Sequence, residues 1–281
     1  MSSHAPPRPG YRLGSLGVRV VSGTVLLGAV VALLLLGLPG IWVVVVALLL
    51  AALWEFRRLS DLLGFRAPSW LLFPLGLYFA FSGTLLRAVP IELTLAVALI
   101  AGLTVFLFLP GRREGLGRWA MALAGAVYLG LPFNYYLLLY TRATPGRGLA
   151  WLIVTILTAV VTDAAAMLVG GRLGRHPFFT SISPRKTLEG AIGGIVLCVP
   201  VAVVGGVQFL GLNAWQAILL GLLVGLSAEV GDLVESQLKR LAGVKDSSHL
   251  IPGHGGVLDR LDSLLFPPIV VYLFAQSLHL L

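Results

Sequence analysis

Uncharged apolar runs about as long as a bilayer is thick recur along most of this chain, and no other feature limits its fold so strongly. A helical crossing takes roughly 20 apolar residues. Candidate runs lie at Gly17–Leu38, Ile41–Trp54, Trp70–Leu86, Pro90–Leu109, Trp119–Leu139, Leu149–Gly170, Gly190–Leu212, Ala214–Val230 and Leu264–Leu281. Peptide groups cannot stay unpaired in hydrocarbon, so only helices or a closed barrel can span it. Barrel strands alternate apolar and polar positions, and nothing here alternates. The expected fold is therefore an all-α polytopic integral membrane protein with about nine transmembrane helices. Only 11% of the 281 residues are charged, against roughly 25% in soluble domains, which leaves no room for a large domain outside the bilayer. Two runs fit less well: Ile41–Trp54 is short, and the last carries Pro267 and Pro268 near its start.

The N-terminal stretch could open a signal peptide, but "VALLLLGLPGIW" lacks a small-residue cleavage site followed by a soluble domain. It reads as a retained helix after a tail at 1–16. Nine crossings put that tail and the loops after helices two, four, six and eight on one side. Of 20 Lys and Arg, only Arg87, Arg142 and Arg147 fall opposite, leaving 17 on the tail's side. Cations collect in cytoplasmic loops, so the N-terminus is expected in the cytoplasm and the C-terminus outside. The net charge of +8 is explained by this orientation, and no nucleic-acid partner is expected. The single cysteine, Cys198, excludes a disulfide framework. No internal repeat supports a two-halved transporter. The chain divides into about five N-terminal helices without a motif (17–148) and a motif-bearing region (149–281) with cytoplasmic loops at 171–189 and 232–263.

Half of the 12 acidic residues (Glu229, Asp232, Glu235, Asp246, Asp259 and Asp262) fall between 229 and 262, with Lys239 and Lys245. Asp232, Glu235, Ser236, Lys239 and Arg240 share a helical face by their spacing. Pairing four residues apart could be simple helix stabilisation, yet ionisable groups at membrane depth are costly enough to indicate a site. The following "GVKDSSHLIPGHGG" carries Lys245, His249 and His254, with Gly255 and Gly256. Such a loop is either a flexible turn or a phosphate cradle, in which glycines let backbone N–H groups approach oxygens and cations supply charge. Asp232 and Asp259 could meet around a hard cation, because magnesium takes few protein carboxylates and keeps positions for water and phosphate. A zinc site at His249 and His254 lacks cysteine partners. Asp163, inside the sixth run, needs a partner. The next loop offers Ser183, Arg185, Lys186 and Glu189, although positive-inside topology alone would gather the cations there. Thr187 can cap the next helix, and Gly221 and Gly225 have helix-packing spacing.

The run "SQLKRLAGVKDSSHLIPGHGGVLDRLD", from Ser236 to Asp262, closely resembles the signature of the integral-membrane phosphatidate cytidylyltransferases, also called CDP-diacylglycerol synthases. "EVGDLVES" and "ISPRKTLEGAIGG" are similar to family segments too, so the resemblance covers roughly residues 155–265. It departs at Ala164 and Met167, where the family usually has a hydroxyl residue and a tyrosine, and at Arg185. The resemblance implies that CTP and phosphatidate give CDP-diacylglycerol and pyrophosphate with magnesium, and leaves room for a second cation. Under it, Asp232 and Asp259 hold metal, with Asp246 or Asp262 in support. Lys239, Arg240, Lys245 and Arg260 hold phosphates, and Ser236 and His254 orient them. Asp163, Ser183, Lys186, Glu189, Glu235, Gly255 and Gly256 complete the substrate side. The setting implied is the inner membrane, with the site facing the cytoplasm and a homodimer left open. A CTP-dependent enzyme acting on another lipid phosphate or a polyprenol is the nearest alternative, and an ion-coupled transporter is a more distant one.

Overall fold

A computed structural model of the chain describes residues 13–108 and 112–281. The reading of the tail at 1–16 therefore lies largely outside the described residues, as do Arg8 and Arg12. The helices are α1 (Leu13–Leu35), α2 (Leu38–Leu62), α3 (Ser69–Phe81), α4 (Ile91–Phe108), α5 (Arg112–Arg142), α6 (Gly148–Leu173), α7 (Leu188–Gly205), α8 (Ala214–Leu241), α9 (Leu258–Leu261) and α10 (Pro267–Ser277).

Five stretches are long and apolar enough to cross a membrane: Leu38–Leu62, Glu114–Arg142, Gly148–Leu173, Leu188–Leu210 and Ala214–Leu241. The chain is thus a polytopic helical membrane protein. By length and composition this is five rather than the expected nine among the described residues, and the differences have local causes. The run behind α3 gives a shorter apolar helix, Ser69–Phe81, while α1 and α4 are 23 and 18 residues long, with apolar stretches at Gly23–Leu35 and Ile91–Val105 among the described residues. The run Leu264–Leu281 gives only the 11-residue α10, about 17 Å long against a core of about 30 Å. Pro267 and Pro268 sit in its first turn, where the missing N–H costs no helical bond. The short run Ile41–Trp54 lengthens instead to 25 residues in α2. Past Trp54 the helical spacing continues, burying Glu55, Phe56, Leu59 and Ser60.

The most extensive packing is between α6 and α7, then between α3 and α5 and between α7 and α8. Gly221 and Gly225 serve the last pair as their spacing suggests, since a Cβ there would stand 3.0 Å from Val199 Cα and 2.9 Å from Cys198 Sγ. Thr187 caps α7 by accepting from Gly190 N–H, and Asn213 and Gln216 form a reciprocal cap on α8. The 3-10 turn Asp262–Leu264 packs on α8 and α6, and Tyr136 of α5 donates to its Leu264 carbonyl at 2.9 Å. The C-terminal parts of α2, α6 and α8 thereby converge, with loops 174–187 and 242–257, at one end of the bundle.

Candidate functional site

At that end a cavity of about 470 Å³ is lined by Asp163 of α6, Lys186 and Ser183 of the α6–α7 loop, Glu229 and Asp232 of α8, and Asp259, Arg260 and Asp262 beyond it. The Lys186 ammonium lies 2.8 Å from Glu229 and 2.9 Å from Asp232. Burial pulls this lysine's pKa down, but the carboxylates of Asp232 and Glu229 outweigh burial and hold it above its ordinary value. Ser236 donates to Asp232 at 3.1 Å. Asp262 reaches the group because Gly231 has no side chain: a Cβ there would meet the Asp262 carbonyl oxygen at 2.4 Å. Burial, then repulsion from Asp232, pushes the Asp262 carboxyl up to about 7.

A second cluster stands behind the first. Lys239 donates to Asp259 Oδ1 at 2.7 Å and also pairs with Glu235, which is fully buried. Asp259 further accepts from the N–H groups of Ser247 and Gly256 and from the Ser247 hydroxyl. Burial opposes the Asp259 charge, but Lys239 and these N–H groups prevail and hold its pKa below the usual carboxylate value. Both Asp259 oxygens are thus occupied inside the fold. The expected single face of α8 divides accordingly, Asp232 turning to the cavity with Ser236 bonded to it while Glu235 and Lys239 turn to the interior.

The loop after α8 lines a separate polar cavity of about 540 Å³ with Lys245, Asp246, His249, His254, Gly255 and Arg260. Arg260 borders both cavities and donates to the His254 carbonyl at 2.9 Å. Four other predicted residues are engaged by the loops themselves. Arg240 donates to the carbonyls of Ile182 and Val244, tying the two loops together. Glu189 accepts from the N–H groups of Arg175 and His176. Gly255 turns the chain at φ +88, and Gly256 must lack a side chain because a Cβ would meet Ser247 Oγ at 2.0 Å and Glu55 Oε1 at 2.6 Å. The space beside Gly256 is filled by protein side chains, so its glycine serves the loop and not a phosphate approaching on that face.

Glu55, outside every sequence motif, is the residue that sequence reasoning missed. It is fully buried and accepts from Val257 N–H at 2.9 Å, Leu258 N–H at 2.6 Å and the hydroxyls of Ser247 and Ser248. The available signal was a carboxylate at the end of an apolar run, "ALWEF", of the kind that counts as functional by default.

A family profile described as "Cytidylyltransferase family" matches residues 17–278. The chain belongs to this family. It is 40% identical over 149 residues to a protein named phosphatidate cytidylyltransferase from Staphylococcus haemolyticus (strain JCSC1435), covering 52% of this chain and 55% of that one. The protein of the same name from Staphylococcus aureus (strain COL) is 40% identical over 161 residues, 56% and 60% of the two chains. That from Staphylococcus epidermidis (strain ATCC 12228 / FDA PCI 1200) is 37% identical over 160 residues, again 56% and 60%. The chain spans a little over half the length of the curated relatives it matches.

In this cytidylyltransferase-family chain, Met167, where the sequence departs from the pattern it resembles, lines the acidic cavity. Its thioether offers the cavity no hydroxyl to donate. The donor set suits a hard cation: several carboxylates face one cavity, and an ammonium already sits between two of them. Among the described residues no group of three or more His, Cys, Asp or Glu side chains is arranged to hold a metal ion. Magnesium asks for less, since one or two carboxylates plus substrate phosphates and water complete its shell.

Proposed function

We propose that this chain transfers the cytidylyl group of CTP to phosphatidate, giving CDP-diacylglycerol and pyrophosphate. The observation that carries the reading is the pair of cavities sharing Arg260, one acidic around a single ammonium and the other lined by Lys245, His249 and His254. A reaction between two phosphate anions needs a cation site and neutralising side chains side by side. The relatives' names supply the substrate class.

A phosphate oxygen of phosphatidate attacks the α-phosphorus of CTP, a P–O bond forms there, and the bond to the β-phosphate oxygen breaks with pyrophosphate leaving. Phosphatidate is already an anion at neutral pH, so no general base is required. Magnesium would supply charge neutralisation at the reacting phosphate oxygens. Asp232 would be its first ligand, with Asp262 and Asp163 facing the same space. Asp232 is engaged by side chains that can move, Lys186 and Ser236, whereas Asp259, proposed from sequence as a metal ligand, is also held by main-chain N–H groups and would act as a strut. Lys186, held by Glu229 and Asp232, would supply a positive charge to a phosphate. Arg260 and Lys245 would hold the polyphosphate, and His254 would orient it.

The proposal includes nine crossings, with α1, α3, α4 and α10 completing the five long spans, and a site facing the cytoplasm of the inner membrane. Positive loop charge supports that side, and the contact of Glu55 of α2 with the chain beyond α8 supports the crossing number, since even-numbered crossings then finish together. Purified protein in lipid, given labelled CTP and phosphatidate with and without magnesium, should form lipid-linked CMP only with magnesium. Product with another phosphorylated lipid and none with phosphatidate would overturn the substrate assignment.

A further inference from the structure

We propose that Glu55 is a positioning residue for the reaction, a carboxylate lent by α2 that fixes the chain between Val244 and Leu258 and so sets Lys245, His254 and Arg260 around their cavity. The proposal rests on the cytidylyltransferase reading for its kinetic consequence, but its geometry stands apart from it.

Each Glu55 oxygen faces one hydroxyl and one main-chain N–H. Oε1 takes Ser248 and Val257 N–H, while Oε2 takes Leu258 N–H and lies 3.2 Å from Ser247 Oγ. The two ends of the loop are thereby closed on one side chain from a distant helix. Ser247 Oγ also lies 3.0 Å from Asp259 Oδ2, so its single proton is shared between Glu55 and Asp259. Through that hydroxyl the clamp connects to the Asp259–Lys239 pair and to Arg260, the next residue. Gly256 records how tight the clamp is, its missing side chain being what lets Glu55 and Ser247 approach.

This arrangement makes glutamine a poor replacement. A hydroxyl can rotate to accept, but a main-chain N–H cannot turn away, and either orientation of a glutamine amide at this position sets its NH2 group against Val257 N–H or Leu258 N–H. A buried donor facing a donor leaves both unsatisfied. Glu55→Gln should therefore release the loop while α2 keeps its shape and packing.

The test combines amide hydrogen exchange with steady-state kinetics on the full chain in lipid, for wild type, Glu55→Gln, Ser248→Ala and Asp61→Asn, an exposed acid on the same helix. In Glu55→Gln, exchange should quicken at 247–258 and stay unchanged in α3, α5 and the rest of α2. Its kcat should fall roughly ten- to hundredfold, as expected when reacting groups shift by about 1 Å. Ser248→Ala, which removes one donor to Glu55 and the acceptor of Leu250 N–H, should show the same local exchange at amides other than Leu250 with a smaller loss, and Asp61→Asn should match wild type. Unchanged exchange at 247–258 in both Glu55→Gln and Ser248→Ala would overturn the clamp, whatever the activity. Loss of protection spread over α2, α3 and α5 in both would also overturn it, leaving Glu55 a part of the general fold. Local release with kcat unchanged would overturn the positioning role. Local release in a wild-type background inactive on CTP and phosphatidate would instead count against the proposed reaction and uphold the clamp.

Discussion

Asp232 and Asp259 look alike in sequence, each an aspartate beside basic residues in the densest polar window, and the structure gives them different neighbours. Both border one cavity, but Asp232 is bonded by the side chains of Lys186 and Ser236, whereas Asp259 is held by Lys239 and by loop N–H groups. We expect both Asn variants to lose turnover by about a hundredfold or more, as loss of a charge-stabilising or group-positioning contact does, but only Asp232→Asn to lose binding of Mn²⁺, followed by its electron paramagnetic resonance. Equal loss of Mn²⁺ binding in Asp259→Asn would restore Asp259 as a ligand. The charge of Asp259 also predicts a pH effect. Its folded pKa lies below the unfolded value, so its contribution to stability is present above the ordinary carboxylate pKa and is lost as pH falls through the folded one. Between about pH 6 and pH 3, wild type should therefore lose more thermal stability than Asp259→Asn. Parallel melting curves for the two would contradict this. Spacing could gather these residues into one window but could not say which oxygens the fold would occupy.

At the scale of elements, the helices were legible because hydrocarbon demands long uninterrupted apolar runs, and the cap at Thr187 followed local rules. Ends were less legible. Helix α2 outlasts its apolar run because a helix leaving the bilayer needs only one buried stripe, and α10 falls short because paired prolines and a preceding 3-10 turn take up its first residues. The contact between α8 and that turn depends on Gly231, which sequence reading passed over. Gly231→Ala should push the Asp262 carbonyl away from α8, cost about 1–3 kcal/mol as overpacking does, and reduce turnover together with stability. A variant with full stability and full turnover would show that the turn adapts freely.

For the whole molecule, the resemblance identified the second half and left the first five helices without a role. That silence has a physical reason: a carboxylate whose partners lie 192 to 203 positions away leaves no local pattern. Orientation can be tested after Cys198, which is buried, is replaced by alanine. In that background Ser181→Cys should react with an impermeant maleimide from the cytoplasmic face only, and Thr144→Cys from the opposite face only. The reverse pattern would invert the topology. Spectroscopy of the helical content would not distinguish the two.

The attachment of Glu55 to Ser248, 193 residues later, also bears on how the protein is made. At about 5–20 residues per second of synthesis, α2 waits about 10–40 s for the segment that will accept its carboxylate. A bare carboxylate held for that time at the centre of a bilayer would favour expulsion of the helix. Glu55 instead lies in the last third of α2, beside Arg57 and Arg58, where water at the membrane edge can tend it until the rest of the chain arrives.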